Sequence, residues 1–355
     1  MSTATAESLR VERIDPIADP AWAAFLAGCD AAEIYHSPQW LELIRAQYGY
    51  EFTAHVVRGG DGTIEAGLPV ARVESFITGK RLVAVPFSDT CPPLVGRDAD
   101  PDAGAALGAA LAAAAERDGL PLSVHGPLEG VPEDCLAPQY VRHELALDTD
   151  IEKLEAAYSK KRAVREFRKG KKAGLTFEVG RDRRALDEFY ALHLLTRRKL
   201  GVPIQPKRFI RRFEHLFEEG HGFVGLIRDG DTALAAAVFL IYNGTITYKY
   251  GASDPAALEK RPNHLMQAEA IAWGCLHGLK RYDFGRTDVG AEGLRSFKDA
   301  WGATEVPLPY TYLGQAPPIE EGPGAKEQLT EKVIQRSPAF VARVAGELLY
   351  RHYGQ

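Results

Sequence analysis

One short segment near the end of the sequence combines the residue types most suited to chemistry. Residues 283–303 read DFGRTDVGAEGLRSFKDAWGA and place Lys298 directly after Phe297 and shortly before Trp301. Phenylalanine and tryptophan side chains favour burial. A lysine among them either snorkels to solvent or holds its ammonium group where a negative charge must be met.

We expect Phe297 and Trp301 to anchor the segment in a hydrophobic core, because residues four apart share one face of a helical turn. Lys298 is then expected to point away from that face, toward a cleft between two domains. Two carboxylates lie nearby in the sequence. Asp288 is the candidate general base, which would accept a proton from a reacting group, whereas Asp283 is more typical of a structural residue at a strand end.

Positive charge is concentrated in one part of the chain, although the net charge is −5. Residues 158–212 contain 18 Lys or Arg and 5 Asp or Glu. The densest part, YSKKRAVREFRKGKKAG at 158–174, has α-helical spacing and predicts one cationic stripe. The stripe consists of Lys161, Arg165, Arg168 and Lys172. It is either a solvated helix face or a phosphate-binding surface, and a second basic stretch at 196–212 favours phosphate binding.

Composition excludes several classes of protein. The 355 residues are 45% hydrophobic and 26% charged, which is typical of a globular chain of two domains. No apolar run approaches the roughly 18–20 residues of a membrane span, and the polar N-terminus does not resemble a signal peptide. The four scattered cysteines predict reduced thiols in a cytoplasmic protein. We expect no metal site and no bound cofactor.

The order of predicted elements occurs twice along the chain. Residues 54–73 and 222–241 each read as a β-hairpin, and each is followed by a further strand, a Ser-Asp pair, a helix and a short strand. This repetition predicts an α+β fold of two similar domains, each a mostly antiparallel sheet with helices against it. We place the domains at 1–150 and 151–313.

The remainder, 314–355, differs in style from both domains. It opens with GQAPPIEEGPG, which is typical of a linker. The segment 337–354 begins with Ser-Pro and predicts a helix with one apolar face. We expect this helix to pack on the first domain, with interfacial contact at the inner face of a membrane as the alternative.

The second half resembles the Fem family of non-ribosomal peptidyl transferases (FemX/FemAB type). The resemblance depends on an ordered set of segments and covers 151–313 well and 33–150 loosely. The segments are YSKKRAVREFRKGKKAGL, TRRKLGVPIQPKRF, ITYKYGASD and YDFG…FKDAWGA. The resemblance implies two tandem domains of the GNAT-like acyltransferase fold.

The resemblance also implies an activity: transfer of an aminoacyl group from aminoacyl-tRNA to an amine of a peptidoglycan-like or other phosphate-bearing, lipid-linked precursor. Lys298 would support the transferred carbonyl, because a fixed cation stabilises the oxyanion of ester aminolysis, and Asp288 would accept the proton. The residues implied or predicted to contact substrate are Arg165, Arg168, Lys172, Arg198, Lys199, Tyr248, Tyr250 and Arg286.

Two alternatives stay open at this stage. The first is an acyl-CoA-dependent N-acyltransferase of exopolysaccharide, lipid or natural-product biosynthesis. The segment EKRPNHLMQAEA (259–270) lacks the glycines with which GNAT enzymes bind the CoA pyrophosphate, and this argues against acetyl-CoA. The second is a non-catalytic duplicated GNAT scaffold, which would have no need of Lys298.

Overall fold

The computed structural model describes residues 9–315, 334–335, 343–344, 346–347 and 350–352. The chain forms two compact units. The first unit contains 9–140, 308–315 and His352, and the second contains 141–307 with the described residues between 334 and 351. The division differs from the predicted one at 150/151, because the strands Leu136–Ala146 and Thr304–Leu313 each contribute residues to both units.

The first unit is built on a mostly antiparallel sheet. Its elements are β1 (Arg10–Ile14), α1 (Pro20–Ala27), α2 (Pro38–Tyr48), β2 (Glu51–Arg58), β3 (Ile64–Ser75), β4 (Gly79–Val83), β5 (Leu94–Val95), α3 (Ala103–Asp118), β6 (Leu122–Val124), part of β7 (Leu136–Ala146) and part of β13 (Thr304–Leu313). The order β1-β2-β3-β4-β6-β13 is antiparallel except between β4 and β6, which are parallel and are joined through α3.

Buried polar side chains tie the helices of the first unit to its loops. The Trp40 indole donates to the Ser88 hydroxyl over 3.2 Å. The His36 ring accepts the Glu33 backbone N–H at Nδ1 (3.1 Å), so its Nε2–H donates to the Pro92 carbonyl (2.9 Å). Burial lowers the pKa of His36 to about 4, and the ring is therefore neutral at pH 7.

The second unit has more helices around a sheet of the same kind. Its elements are the rest of β7, α4 (Ile151–Ala157), a π-helical turn (Lys160–Val164), α5 (Arg165–Lys172), β8 (Thr176–Gly180), α6 (Arg183–Leu200), α7 (Lys207–Glu218), β9 (Gly222–Asp229), β10 (Thr232–Tyr242), β11 (Thr245–Ser253), α8 (Pro262–Leu276), β12 (Arg281–Asp288), α9 (Glu292–Asp299) and the rest of β13. The strand order is β7-β12-β11-β10-β9-β8.

The two units share one topology. In the first, β2, β3 and β4 form an antiparallel meander and α3 leads to a strand parallel to β4. In the second, β9, β10 and β11 form the meander and α8 leads to β12, parallel to β11. The β10–β11 turn has Asn243 (φ 45°) and Gly244 (φ 71°) in left-handed conformation, as a type I′ hairpin requires. The predicted α+β fold with duplicated elements is confirmed.

The C-terminal prediction falls mostly outside the described residues. This applies to the linker beyond residue 315 and to most of the helix predicted for 337–354. Within the second unit, the Glu347 carboxylate accepts the Lys207 backbone N–H over 3.0 Å. Within the first, the His352 ring and the Ser75 hydroxyl are 3.0 Å apart. None of the helices in the described parts of the chain is long and apolar enough to cross a bilayer.

Candidate active site

Two neighbouring parallel strands of the second unit extend beyond the ladder that joins them. The ladder between β11 and β12 pairs Thr245–Thr247 with Arg281–Asp283, whereas β11 continues to Ser253 and β12 to Asp288. Just past the ladder, β11 contains a bulge against β10: Phe239 faces Tyr248 and Val238 faces Tyr250, so Lys249 is the extra residue. A bulge bends a strand and increases its twist.

A cavity of about 370 Å³ lies where β11 and β12 part. Tyr248 and Phe284, the first residue of each strand beyond the ladder, both line it. The segment before α8 contributes Leu258 and Arg261, and the first turns of α8 contribute Pro262 to His264 and Gln267. Helix α9 contributes Leu294, Phe297 and Lys298. All lining residues belong to the second unit, and we call this space the β11–β12 cavity.

Lys298 is held in this cavity by backbone carbonyl groups of β12. Its Nζ donates to the Gly285 carbonyl oxygen over 2.7 Å and lies 3.4 Å from that of Arg286. Gly285 has φ 73°, a left-handed conformation that strongly favours glycine. Lys298 is only 4% exposed. The segment therefore presents a fixed, buried cation at the cavity wall, and the snorkelling alternative is wrong.

The two aromatic neighbours of Lys298 have different roles from each other. Trp301 is fully buried in the core and packs edge-on against Tyr158 with ring centroids 5.3 Å apart, as predicted. Phe297 is only half-buried and lines the cavity, so its prediction as a core anchor is wrong. Helix α9 ends at Asp299, and Trp301 lies in the turn beyond it. The two rings still meet edge-on, with centroids 6.3 Å apart.

The bulge also separates Tyr248 and Tyr250, the two tyrosines named as candidate substrate contacts. Tyr248 lines the β11–β12 cavity, and burial raises the pKa of its phenol to about 12. Its hydroxyl lies over Gly251, where a Cβ atom would be 1.6 Å from it. Tyr250 packs toward α6 and α7, against His193 and Phe213. Only Tyr248 is in this cavity.

The basic segment forms a second concave surface, of about 600 Å³, on the same unit. We call it the cationic surface, and its basic residues on and before α5 are Lys160, Arg165, Arg168, Lys169 and Lys172. The predicted stripe began at Lys161, which is exposed but does not line this surface. The turn before α5 is π-helical, and the Arg165 N–H donates to the Lys160 carbonyl in an i to i+5 hydrogen bond. This wider turn places Lys160, instead of Lys161, on the same surface as Arg165, Arg168 and Lys172.

Arg261 connects the cationic surface with the β11–β12 cavity, because it lines both. It precedes Pro262, the first residue of α8, and has φ 60°, which is uncommon for a residue other than glycine. Its guanidinium is 2.6 Å from the Glu166 carboxylate, which also accepts a 2.7 Å bond from Arg165. The bond from Arg165 holds the pKa of Glu166 below its usual range. Neither Glu166 nor Arg261 was predicted as a site residue. The sequence signal available for Arg261 was its position directly before Pro262, a proline that starts a helix.

The side chains of the remaining candidates do not line the β11–β12 cavity. Arg198 and Lys199 are in the last turn of α6, where cations suit the helix dipole, and they line neither the cavity nor the cationic surface. Asp288 is exposed at the end of β12 and does not line the cavity. Arg286 is half-buried, and its carbonyl faces Lys298. Asp283 is structural, as predicted, since it accepts a 2.8 Å bond from Arg142.

No group of three or more His, Cys, Asp or Glu side chains is placed to hold a metal ion in the described ranges. The β11–β12 cavity instead offers an ammonium group, a guanidinium group and an apolar wall. Those groups suit an ester or thioester carbonyl next to an anionic carrier.

Comparison with known proteins supports the predicted resemblance. Residues 157–299 match the family described as acetyltransferase (GNAT) domain. The chain is 32% identical over 112 residues to a lipid II:glycine glycyltransferase of Staphylococcus haemolyticus (strain JCSC1435), which covers 29% of this chain. The chain spans only 27% of the length of that relative.

Two solved structures are similar to the chain over most of its length. The crystal structure of FemX has a TM-score of 0.63 at 18% identity, covering 84% of this chain and 96% of that one. The structure of L-PGS from Bacillus licheniformis has a TM-score of 0.51 at 14% identity, covering 91% and 98%. The chain thus has the GNAT-like acyltransferase fold, and its predicted resemblance to the Fem family is confirmed.

Proposed function

We propose that this protein is an acyltransferase that moves an aminoacyl group from aminoacyl-tRNA to an amine of a phosphate-bearing cell-envelope precursor. The observation that carries the proposal is the position of Lys298. A buried ammonium group, fixed by the Gly285 carbonyl, lines a cavity that shares Arg261 with a surface of five further cations. A cation next to a phosphate-binding surface suits an acyl ester carried on a nucleic acid.

In the proposed reaction the amine nitrogen attacks the ester carbonyl carbon, and the bond from that carbon to the ribose oxygen breaks. The carbonyl oxygen gains negative charge on the way, and Lys298 stabilises it. The ribose oxygen takes up a proton, and the amine loses one. Asp288 as the base that takes up the amine proton stays a prediction. Its side chain is exposed at the end of β12 and is not part of the cavity lining.

The cationic surface is proposed to bind the phosphates of the donor. Arginine presents a planar fork that matches phosphate oxygens, and Arg165 and Arg261 are oriented by Glu166. Contacts of this kind weaken as counterions are added. Arg198 and Lys199 lie away from the cavity lining, so we propose them for the acceptor or for packing only. Tyr250 packs against His193 and Phe213, and we propose it for packing.

The acceptor is proposed from the relatives. The matching relative is named a lipid II:glycine glycyltransferase, a name that gives lipid II as its acceptor and glycine as the residue it transfers. For this chain we propose an amine on a peptidoglycan-like, lipid-linked or nucleotide-linked precursor, reached at the inner face of the membrane. No resident cofactor enters this reaction, and the donor is a co-substrate.

Acyl-CoA is the alternative donor, and the match to the acetyltransferase (GNAT) family favours it. The start of α8 argues against it, because Pro262 at the first helical position has no N–H to offer a pyrophosphate. A non-catalytic scaffold is the third candidate and would show transfer from neither donor.

The test is a transfer assay with radiolabelled donors. Purified protein is incubated with lipid II or its soluble UDP-linked precursor, and with either tRNA charged with a labelled amino acid mixture or labelled acetyl-CoA. We expect label on the acceptor from charged tRNA only. Transfer from acetyl-CoA alone, or transfer from neither donor, would refute the proposed function.

A further inference from the structure

The walls of the β11–β12 cavity are mainly apolar. Six of the lining side chains have an aromatic or aliphatic surface: Tyr248, Leu258, Pro262, Phe284, Leu294 and Phe297. They come from β11, β12, the segment before α8, the start of α8, and α9, so apolar surface surrounds the space on several sides. A group that occupies this space would be transferred from water into a mainly apolar environment.

The polar side chains of the lining already have partners in the protein. The Gln267 carbonyl oxygen accepts the Tyr282 hydroxyl, and the Asn263 amide donates to the Ser253 hydroxyl over 3.2 Å. The His264 ring packs edge-on against Phe297 with centroids 5.1 Å apart. Burial lowers the pKa of His264, so the ring is neutral at pH 7. Away from Lys298 and Arg261, the walls are therefore poorly suited to a charged or strongly hydrated occupant.

The size of the cavity is also informative. It measures about 370 Å³, whereas one water molecule needs roughly 10–15 Å³ of such space. A glycyl group has only hydrogen as its side chain and would leave most of this volume to water between apolar walls. A larger apolar side chain would displace that water, which is favourable.

We propose that the transferred group carries an apolar side chain of about leucine or phenylalanine size, which is seated in the β11–β12 cavity. The inference rests on the proposed aminoacyl transfer. Lys298 lines the same cavity and would hold the carbonyl. The side chain is attached to the carbon next to that carbonyl, so it enters the cavity beside Lys298. The cavity thus selects an amino acid different from the glycine that the relatives' names give.

The first test compares leucyl-, phenylalanyl-, alanyl- and glycyl-tRNA as donors with one acceptor. A single methylene in an apolar pocket changes kcat/KM by about 10- to 200-fold. We therefore expect kcat/KM for the leucyl or phenylalanyl donor to exceed that for the glycyl donor at least tenfold. Glycyl or alanyl transfer of equal or greater efficiency would overturn this inference alone. Transfer from none of the four donors would overturn this inference. The proposed function fails as well only if tRNA charged with the labelled amino acid mixture also gives no transfer.

The second test narrows the cavity. Leu294 lines it and is 46% exposed, so Leu294→Phe adds volume at the rim with little risk to folding. Leu276→Phe is the matched control, because Leu276 is 76% exposed at the end of α8 and does not line the cavity. Leu294→Phe should lower leucyl and phenylalanyl transfer at least tenfold relative to glycyl transfer. An equal loss for every donor would mean that the cavity holds a part common to all, such as the terminal nucleoside, and would overturn the proposal.

Discussion

Replacing Lys298 by methionine keeps most of the length of the side chain and removes its ammonium group. The Gly285 carbonyl then loses its 2.7 Å donor in a site where the lysine is 4% exposed. An unsatisfied buried polar group costs about 1–3 kcal/mol of stability. Loss of one donor to a developing oxyanion lowers kcat by about 10²–10³, which corresponds to roughly 2.7–4 kcal/mol. We expect both effects in Lys298→Met.

The assay pairs two measurements on each variant: transfer rate at saturating donor, and the free energy of unfolding in urea. Lys153→Met is the control, because the Lys153 side chain is 72% exposed and its ion pair with Asp148 belongs to a class worth about 0.2–1 kcal/mol. It should retain full activity. Lys298→Arg should recover only part of the rate, since a planar guanidinium does not replace a compact ammonium group.

The rate must be measured where circular dichroism shows that Lys298→Met is folded. If the variant loses stability by the expected amount and still transfers at a near-normal rate, Lys298 serves only to satisfy the Gly285 carbonyl. The proposed catalytic role would then be refuted, whereas its structural role would stand.

Three further predictions follow from the same geometry. Arg168→Glu, on the cationic surface, should weaken binding of charged tRNA and reduce its salt dependence in a filter-binding titration, while Arg181→Glu, at an exposed position outside that surface, should do neither. Tyr248→Ala should lower transfer because it removes the aromatic ring that lines the cavity, and the assay should show no loss for Tyr250→Phe, which faces α6 and α7. The pKa of His36 is about 4 in the folded protein, below the 6.5 of the unfolded chain, so the unfolded chain binds the proton more readily. The contribution of neutral His36 to the free energy of unfolding is therefore fully present above pH 6.5 and falls as the pH drops. Between pH 7 and pH 5 the protein should lose about 2 kcal/mol of this free energy, and the free energy of unfolding of His36→Gln in urea should depend less on pH.

The duplicated fold could be predicted because hairpins, glycine turns and amphipathic helices leave local signals in the sequence. Asn243-Gly244 is the clearest of them, and both residues have the left-handed conformation that the turn demands. The unit boundaries could not be predicted in the same way. They depend on which strands pair, and strands β7 and β13 each contribute to both units.

The candidate site was predicted in part. The segment around Lys298 could be identified from its residue types, but its partners could not, because they are backbone carbonyls presented by a left-handed glycine. The cationic stripe was predicted with regular α-helical spacing, and one π-helical turn replaced Lys161 by Lys160. Such local departures from regular geometry have no simple sequence signal.

The bulge at Lys249 makes the cavity depend on a single inserted residue. Tyr248 and Tyr250 already lie on opposite faces of β11, as neighbours in an unbroken strand would. An in-frame loss of the Lys249 codon would therefore leave every core side chain on its present face. It would remove the bend that accompanies the parting of β11 from β12. A one-codon deletion would thus leave a folded chain that lacks the β11–β12 cavity.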